Sequence, residues 1–86
     1  METWRPDQQQ LTRDIISRVD VVAFSFSLMQ PNKGCYFDHL DGRFGYLTLE
    51  DALSYRYRIY NYESDALEGE YETIDALIDA GWKVST

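Results

Sequence analysis

Between residues 6 and 19, apolar side chains recur every three or four positions, which is the pattern of a helix with one buried face. The apolar positions are Leu11, Ile15, Ile16 and Val19. Pro6 and Asp7 suit the first helical turn, because proline has no amide hydrogen to leave unpaired there and an acid favours the positive end of the helix dipole. We predict an amphipathic helix over residues 6–19.

The stretch from residue 21 to residue 30 alternates apolar side chains with small ones. Ala23, Ser25 and Ser27 separate the larger residues Val22, Phe24, Phe26 and Leu28. A period of two residues is typical of a strand with one buried face, and this is the clearest strand pattern in the chain. Residues 31–34 have the composition of a tight turn, which predicts a hairpin to a strand over residues 35–40.

Turn and cap signals predict three shorter elements. Asp41-Gly42 predicts a turn into a strand over residues 43–47. Thr48, followed by acids, predicts the N-cap of a short helix over residues 49–53. Alternating tyrosine and arginine then predict a strand over residues 54–62. The core face of that strand would carry Tyr55, Tyr57 and Ile59.

The last part of the chain begins with an acidic loop that runs through Gly69 to Glu72. Thr73 predicts the N-cap of a helix over residues 74–80, and Gly81 suits its left-handed end. A final edge strand is predicted over residues 82–84, and Trp4 and Trp82 are each expected to close an edge of the core.

A chain of 86 residues has room for one hydrophobic core rather than two. We therefore predict a single α+β domain over residues 1–86. Its antiparallel sheet would have about four or five strands, with an N-terminal helix and two short helices packed on one face.

The net charge of −7 is concentrated near the end of the chain. Residues 59–82 contain seven acids and neither lysine nor arginine. We call these acids the acidic segment: Glu63, Asp65, Glu68, Glu70, Glu72, Asp75 and Asp79. Such a field repels nucleic acid and anionic lipid and attracts basic protein surfaces. Direct binding to nucleic acid or to a membrane is therefore not expected.

The sequence offers little for catalysis or metal binding. Cys35, Asp38, His39 and Asp41 form the one cluster of metal-ligand types, but a zinc site normally needs four ligands and the chain has one cysteine and one histidine. Strand spacing would separate the Cα atoms of Cys35 and His39 by roughly 13 Å, too far for a nucleophile and its base. The common catalytic and nucleotide-binding motifs are absent from the sequence. We predict no enzyme activity, no metal and no cofactor.

Cysteine usage and the first residues favour a cytoplasmic location. A single cysteine allows no internal disulfide. The first seven residues lack the basic and apolar regions of a secretory signal, and no stretch has the roughly 20 apolar residues that a membrane-spanning helix needs.

These features together predict a small acidic protein-binding protein, an inhibitor or adaptor that engages a basic partner surface. The acidic segment would give charge complementarity, and Tyr60 and Tyr62 would be anchors. Small acidic proteins that mimic nucleic acid, including phage-encoded inhibitors of host defence, follow the same charge logic, so a nucleic-acid-handling protein is one candidate partner.

Two other hypotheses come from the tyrosine-rich strand. In the first, Arg56 and Arg58 hold an anionic or aromatic small molecule with neighbouring tyrosines, for instance at a homodimer interface. In the second, the protein is a structural oligomer in which exposed aromatic side chains bury one another.

Overall fold

The computed structural model describes residues 3–18 and 33–85. In these ranges the order of elements is α1 (Pro6–Arg18), β1 (Cys35–His39), β2 (Phe44–Leu47), α2 (Leu49–Leu53), β3 (Tyr57–Asn61), β4 (Leu67–Tyr71), α3 (Ile74–Asp79) and β5 (Trp82–Val84). The predicted strand over residues 21–30 and the first two positions of the turn after it lie outside the described residues. The predicted α+β fold with a five-stranded antiparallel sheet is confirmed.

The sheet has the strand order β4-β3-β2-β1-β5, and every neighbouring pair is antiparallel. β1 and β2, which are joined by the predicted turn at Asp41-Gly42, pair with Cys35 opposite Leu47; the predicted hairpin between residues 21–30 and 35–40 lies partly outside the described residues. β5 pairs with the other side of β1, so Phe37 also lies opposite Val84. The last strand of the chain is therefore one edge of the sheet, as its sequence predicted, and β4 is the other edge.

The helices begin where the sequence signals predict; α2 also ends at the predicted residue, and α3 ends at Asp79, one residue before the predicted end. Thr48 accepts a hydrogen bond from the amide of Asp51, and Thr73 accepts one from the amide of Ala76. Gly81 has a φ of 110°, a left-handed conformation that favours glycine, directly after α3. Of the helices in the described ranges, none is long and apolar enough to cross a bilayer.

Two predictions about the strands are wrong. β3 begins at Tyr57 rather than residue 54, because Tyr55 is the left-handed residue that ends α2, with a φ of 57°. The amides of Tyr55 and Arg56 bond to the carbonyls of Ala52 and Asp51, which is the Schellman pattern. Tyr55 is consequently exposed and does not share the core face of Tyr57.

The second error concerns the predicted acidic loop, part of which is the strand β4. In this strand, the Tyr71 side chain folds over Gly69, two residues before it. A Cβ atom added at Gly69 would lie 2.3 Å from the Tyr71 hydroxyl. The Tyr71 ring thus fills the space above the glycine, and its hydroxyl accepts a hydrogen bond of 3.1 Å from the Trp82 indole. This contact ties the edge strand to the core.

The core lies between one face of the sheet and the helices α1 and α3. Its fully buried large side chains are Trp82, Phe37, Leu47, Ile59 and Leu77. Cys35 also lies in this core, and Trp82 is at its centre rather than at its edge. Burial of these side chains stabilises the domain by roughly 1.5–3 kcal/mol for each one.

The outer edge of β5 is closed by the segment that contains α1. The buried hydroxyl of Thr12 accepts a hydrogen bond of 3.0 Å from the Val84 amide. The indole of Trp4 donates to the Gly81 carbonyl at 2.7 Å. The Lys83 ammonium lies 4.9 Å from the centre of the Trp4 ring. Trp4 therefore closes this edge, as the sequence predicted.

Candidate protein-interaction surface

The sheet face opposite the core is built from aromatic side chains. In the alternating strands β1, β2 and β3, every second residue points away from α1 and α3. Ring centroids are 5.6 Å apart for Tyr36 and Phe44, and 5.6 Å apart for Tyr46 and Tyr60. The Tyr62 ring lies 5.2 Å from Phe44. We call this surface the aromatic face: Tyr36, Phe44, Tyr46, Tyr60 and Tyr62.

Lys33 holds one end of the aromatic face in place. Its ammonium lies 4.9 Å from the Tyr62 ring centre and 5.5 Å from that of Tyr46. It also donates to the Tyr62 carbonyl at 2.6 Å and to the Asp65 carboxylate at 2.9 Å. The Tyr46 hydroxyl donates to the same carboxylate oxygen at 2.8 Å. These bonds from Lys33 and Tyr46 lower the pKa of Asp65.

We expect the Tyr46 hydroxyl to ionise at a higher pH than an exposed tyrosine does. Burial, and then its bond to Asp65, raise its pKa to about 12, compared with about 10 for tyrosine in a peptide. The folded state therefore holds this proton more tightly than the unfolded chain does. The stability that results is complete below about pH 10 and is lost as the pH rises towards 12.

An ultraviolet titration at about 295 nm would measure this ionisation, with Tyr46→Phe as the test variant. Tyr46→Phe should remove the latest step, whereas Tyr55→Phe, at a side chain that is 79% exposed, should leave that step in place. A late step that persists in Tyr46→Phe would contradict the expectation.

Three members of the acidic segment are bound to bases from elsewhere in the chain. Asp65 bonds to Lys33, as described above. Glu68 accepts a hydrogen bond of 2.7 Å from Arg43, and Asp75 accepts one of 2.7 Å from Arg13. The bond from Arg43, with a second one from Asn61, lowers the pKa of Glu68. The uncompensated negative surface is therefore smaller than the sequence predicts.

The other four acids are exposed and make no ion pair with any described residue. We call Glu63, Glu70, Glu72 and Asp79 the open acids. Glu63 lines a cleft of about 270 Å³ together with Phe44 and Tyr62. Glu70 lies opposite Arg58 in the register of β3 and β4, on the same side of the sheet as the aromatic face. Two open acids thus border the aromatic face.

Glu72 and Asp79 lie away from that border. Glu72 lines a second cleft, of about 410 Å³, between α1 and the start of α3. Asp79 is the last residue of α3. The acidic segment is therefore distributed over more than one surface, and the structure brings only part of it together with Tyr60 and Tyr62.

The two arginines of the small-molecule hypothesis have different surroundings. Arg58 donates to the Asp51 carboxylate at 2.5 Å, and this bond raises the pKa of the arginine. Arg56 is exposed. Neither arginine lines either of the two clefts described above.

Of the residues with metal-ligand character, His39 and Asp41 contact each other, with His39 Nδ1 3.0 Å from an Asp41 carboxylate oxygen, whereas Cys35 and Asp38 lie in other surroundings. The thiol of Cys35 is in the core, and Asp38 lies 3.5 Å from the Lys83 ammonium. Nε2 of His39 lies 2.7 Å from the Ala80 carbonyl oxygen, while Nδ1 accepts a bond of 3.1 Å from the Asp41 amide. Within residues 3–18 and 33–85, no group of three or more histidine, cysteine or acidic side chains could hold a metal ion.

Sequence analysis identified two of the five aromatic residues of the face and missed Tyr36, Phe44 and Tyr46. Their signal was the alternation within β1 and β2, in which Tyr36 stands between the core residues Cys35 and Phe37. Comparison of the chain with family models, curated proteins and solved structures finds no match.

Proposed function

We propose that this is a small non-enzymatic binding protein, an inhibitor or adaptor, that engages a basic surface of a partner protein through its aromatic face. The observation that supports the proposal is the clustering of five aromatic rings on one side of the sheet, bordered by the open acids Glu63 and Glu70. Tyrosine is enriched at protein interfaces, because it buries a large rigid ring and keeps a hydroxyl for hydrogen bonding.

The face suits a partner that presents arginine or lysine. The ring of half-buried Tyr60 is available to a cation, whereas Lys33 already lies over the Tyr62 ring, and Glu63 follows Tyr62 directly with an unpaired carboxylate. Lys33 and Arg43 lie close to the face, but Asp65 and Glu68 neutralise them. A basic partner therefore meets aromatic rings and net negative charge rather than competing cations.

A nucleic-acid-handling protein in the cytoplasm is the candidate class of partner, with mimicry of nucleic acid as the mechanism. The open acids carry the charge that such mimicry needs. Small-molecule binding through Arg56 and Arg58 has less support, because Asp51 already binds Arg58. Pairing of the aromatic face with a second copy remains the other arrangement to test.

Charge reversal at the border of the face tests the proposal. The tagged domain would first be used to capture partners from lysate at low salt and at about 0.5 M salt, where the Debye length is about 4 Å. The affinity of a captured basic protein would then be measured for Glu63→Lys with Glu70→Lys. We expect a loss of about 10-fold or more at low salt.

The matched control changes the same charge elsewhere, at the exposed residues Asp7 and Glu50. Asp7→Lys with Glu50→Lys should weaken binding much less, and both variants should keep the circular dichroism spectrum of the original protein. Equal losses in the two variants, or no loss in the first, would overturn the assignment of the binding surface to the aromatic face.

A further inference from the structure

The two edges of the sheet differ in how their outer backbone groups are satisfied. At β5, Thr12 bonds to the outer amide of Val84, and α1 covers the strand. At β4, the backbone makes hydrogen bonds only with β3 among the described residues. α3 contacts β4 but caps none of its backbone groups. A register shift makes Glu68 an extra residue between Gly69, which lies opposite Ile59, and Leu67, which lies opposite Tyr60. From Gly69 to Tyr71, where the pairing is regular, alternate amides and carbonyls therefore face outward without a protein partner in the described chain.

An open edge of this kind is a template for another strand, and proteins usually block such edges with charge, proline or a covering element. The charges on β4 are acidic. If two copies paired antiparallel about Gly69, Glu68 of one copy would lie opposite Glu70 of the other. Pairing about Glu70 would place that glutamate opposite its own equivalent, and like charges directly opposite destabilise a strand pair. The edge therefore opposes self-association while its backbone stays available.

We propose that β4 is a strand-addition site for an extended basic segment of the partner protein. This inference rests on the proposed function and specifies how part of the partner binds. Backbone hydrogen bonds to β4 would supply affinity, and side chains at alternate positions would supply specificity. Lysine or arginine would lie beside Glu70 and Glu72, and an apolar residue would cover Leu67, which is 55% exposed at the same edge.

A model peptide tests the site without knowledge of the natural partner. The probe is an acetylated and amidated peptide of about nine residues in which lysine alternates with valine. Binding would be followed by NMR shifts and by amide hydrogen exchange of the intact domain. We expect the outward amides of β4 to exchange about 10-fold or more slowly with saturating peptide, and Glu70→Lys to weaken binding more than Glu50→Lys.

Backbone methylation of the peptide separates strand addition from general charge attraction. Methyl groups on one set of alternate peptide nitrogens remove the hydrogens that face β4, and methyl groups on the other set do not. One methylated peptide should therefore lose binding and the other should retain it, although their charges are identical. Equal binding by the two peptides would overturn strand addition.

Different experimental outcomes would contradict the strand-addition site and the proposed function. Peptide binding that shifts Tyr60 and Tyr62 without protecting β4 would overturn the strand-addition site and leave the aromatic face as the binding surface. Protection of β4 in the absence of peptide, rising with protein concentration, would identify a second copy as the occupant and overturn the basic segment. Failure of the proposed function would appear separately, as unchanged partner affinity after charge reversal at Glu63 and Glu70.

Discussion

Replacing Trp82 with alanine is expected to lower the free energy of unfolding by about 3–5 kcal/mol. The side chain is 0% exposed, so its removal opens a cavity at the centre of the core. It also removes three specific contacts. The indole donates to Tyr71, its ring lies 4.7 Å from the His39 ring, and the Arg43 guanidinium lies 5.3 Å from it. Since small domains have about 5–15 kcal/mol of stability in total, this variant should be close to unfolding.

Urea denaturation followed by circular dichroism would measure the effect of Trp82→Ala. The matched control is Leu53→Ala, which also shortens a large apolar side chain but at a position that is 61% exposed. The control should change stability by no more than about 0.5 kcal/mol. Similar losses in the two variants would contradict the placement of Trp82 in the core.

Replacing Asp51 with alanine should lower the free energy of unfolding, because it removes the buried carboxylate that binds Arg58. Asp51 is nearly buried, whereas the Arg58 side chain is 28% exposed, so water can offset part of the loss. The Nε atom of Arg58 is buried without a hydrogen-bond partner among the described residues. Without Asp51, Arg58 would lose the carboxylate to which it donates a hydrogen bond and would keep its positive charge, with exposed Glu70 still opposite it in β4.

A double variant distinguishes the contribution of the ion pair to stability from the destabilisation caused by leaving Arg58 without Asp51. Asp51→Leu with Arg58→Met fills the same space with apolar atoms, and it should recover most of the stability that Asp51→Ala loses. The measurement is again the urea midpoint and slope. If the double variant were as unstable as Asp51→Ala, packing of α2 rather than the charge of Arg58 would explain the loss.

The parts of the fold that could be predicted from sequence are those whose cause is local. Thr48 and Thr73 cap helices through contacts three residues away, and the turn signal Asp41-Gly42 predicts the strand that follows β1. β4 was missed because glutamate and glycine are depleted in strands. Its conformation depends on pairing with β3 and on the Tyr71 ring over Gly69, and neither contact leaves a periodic pattern in the sequence.

The net charge of the candidate site could be predicted only in part from the sequence. A count along the chain finds seven acids without a base in residues 59–82, but distance in space decides which charges are compensated. Arg13 and Asp75 are 62 residues apart and form a bond of 2.7 Å. Sequence alone cannot show that Arg13, Lys33 and Arg43 converge on this segment, because each is placed by tertiary packing rather than by local preference.

The bond between Thr12 and Val84 joins residues 72 positions apart in the chain, and the bond between Trp4 and Gly81 joins residues 77 apart. During synthesis, α1 therefore emerges long before the strand against which it packs. Until residues 82–84 have left the ribosome, the core lacks Trp82, and α1 lacks the strand against which it packs, although α3 is already present. Contacts of such long range slow folding, because the chain loses loop entropy before it gains contact energy. The nascent domain should thus complete its core in one late step, when β5 adds to β1.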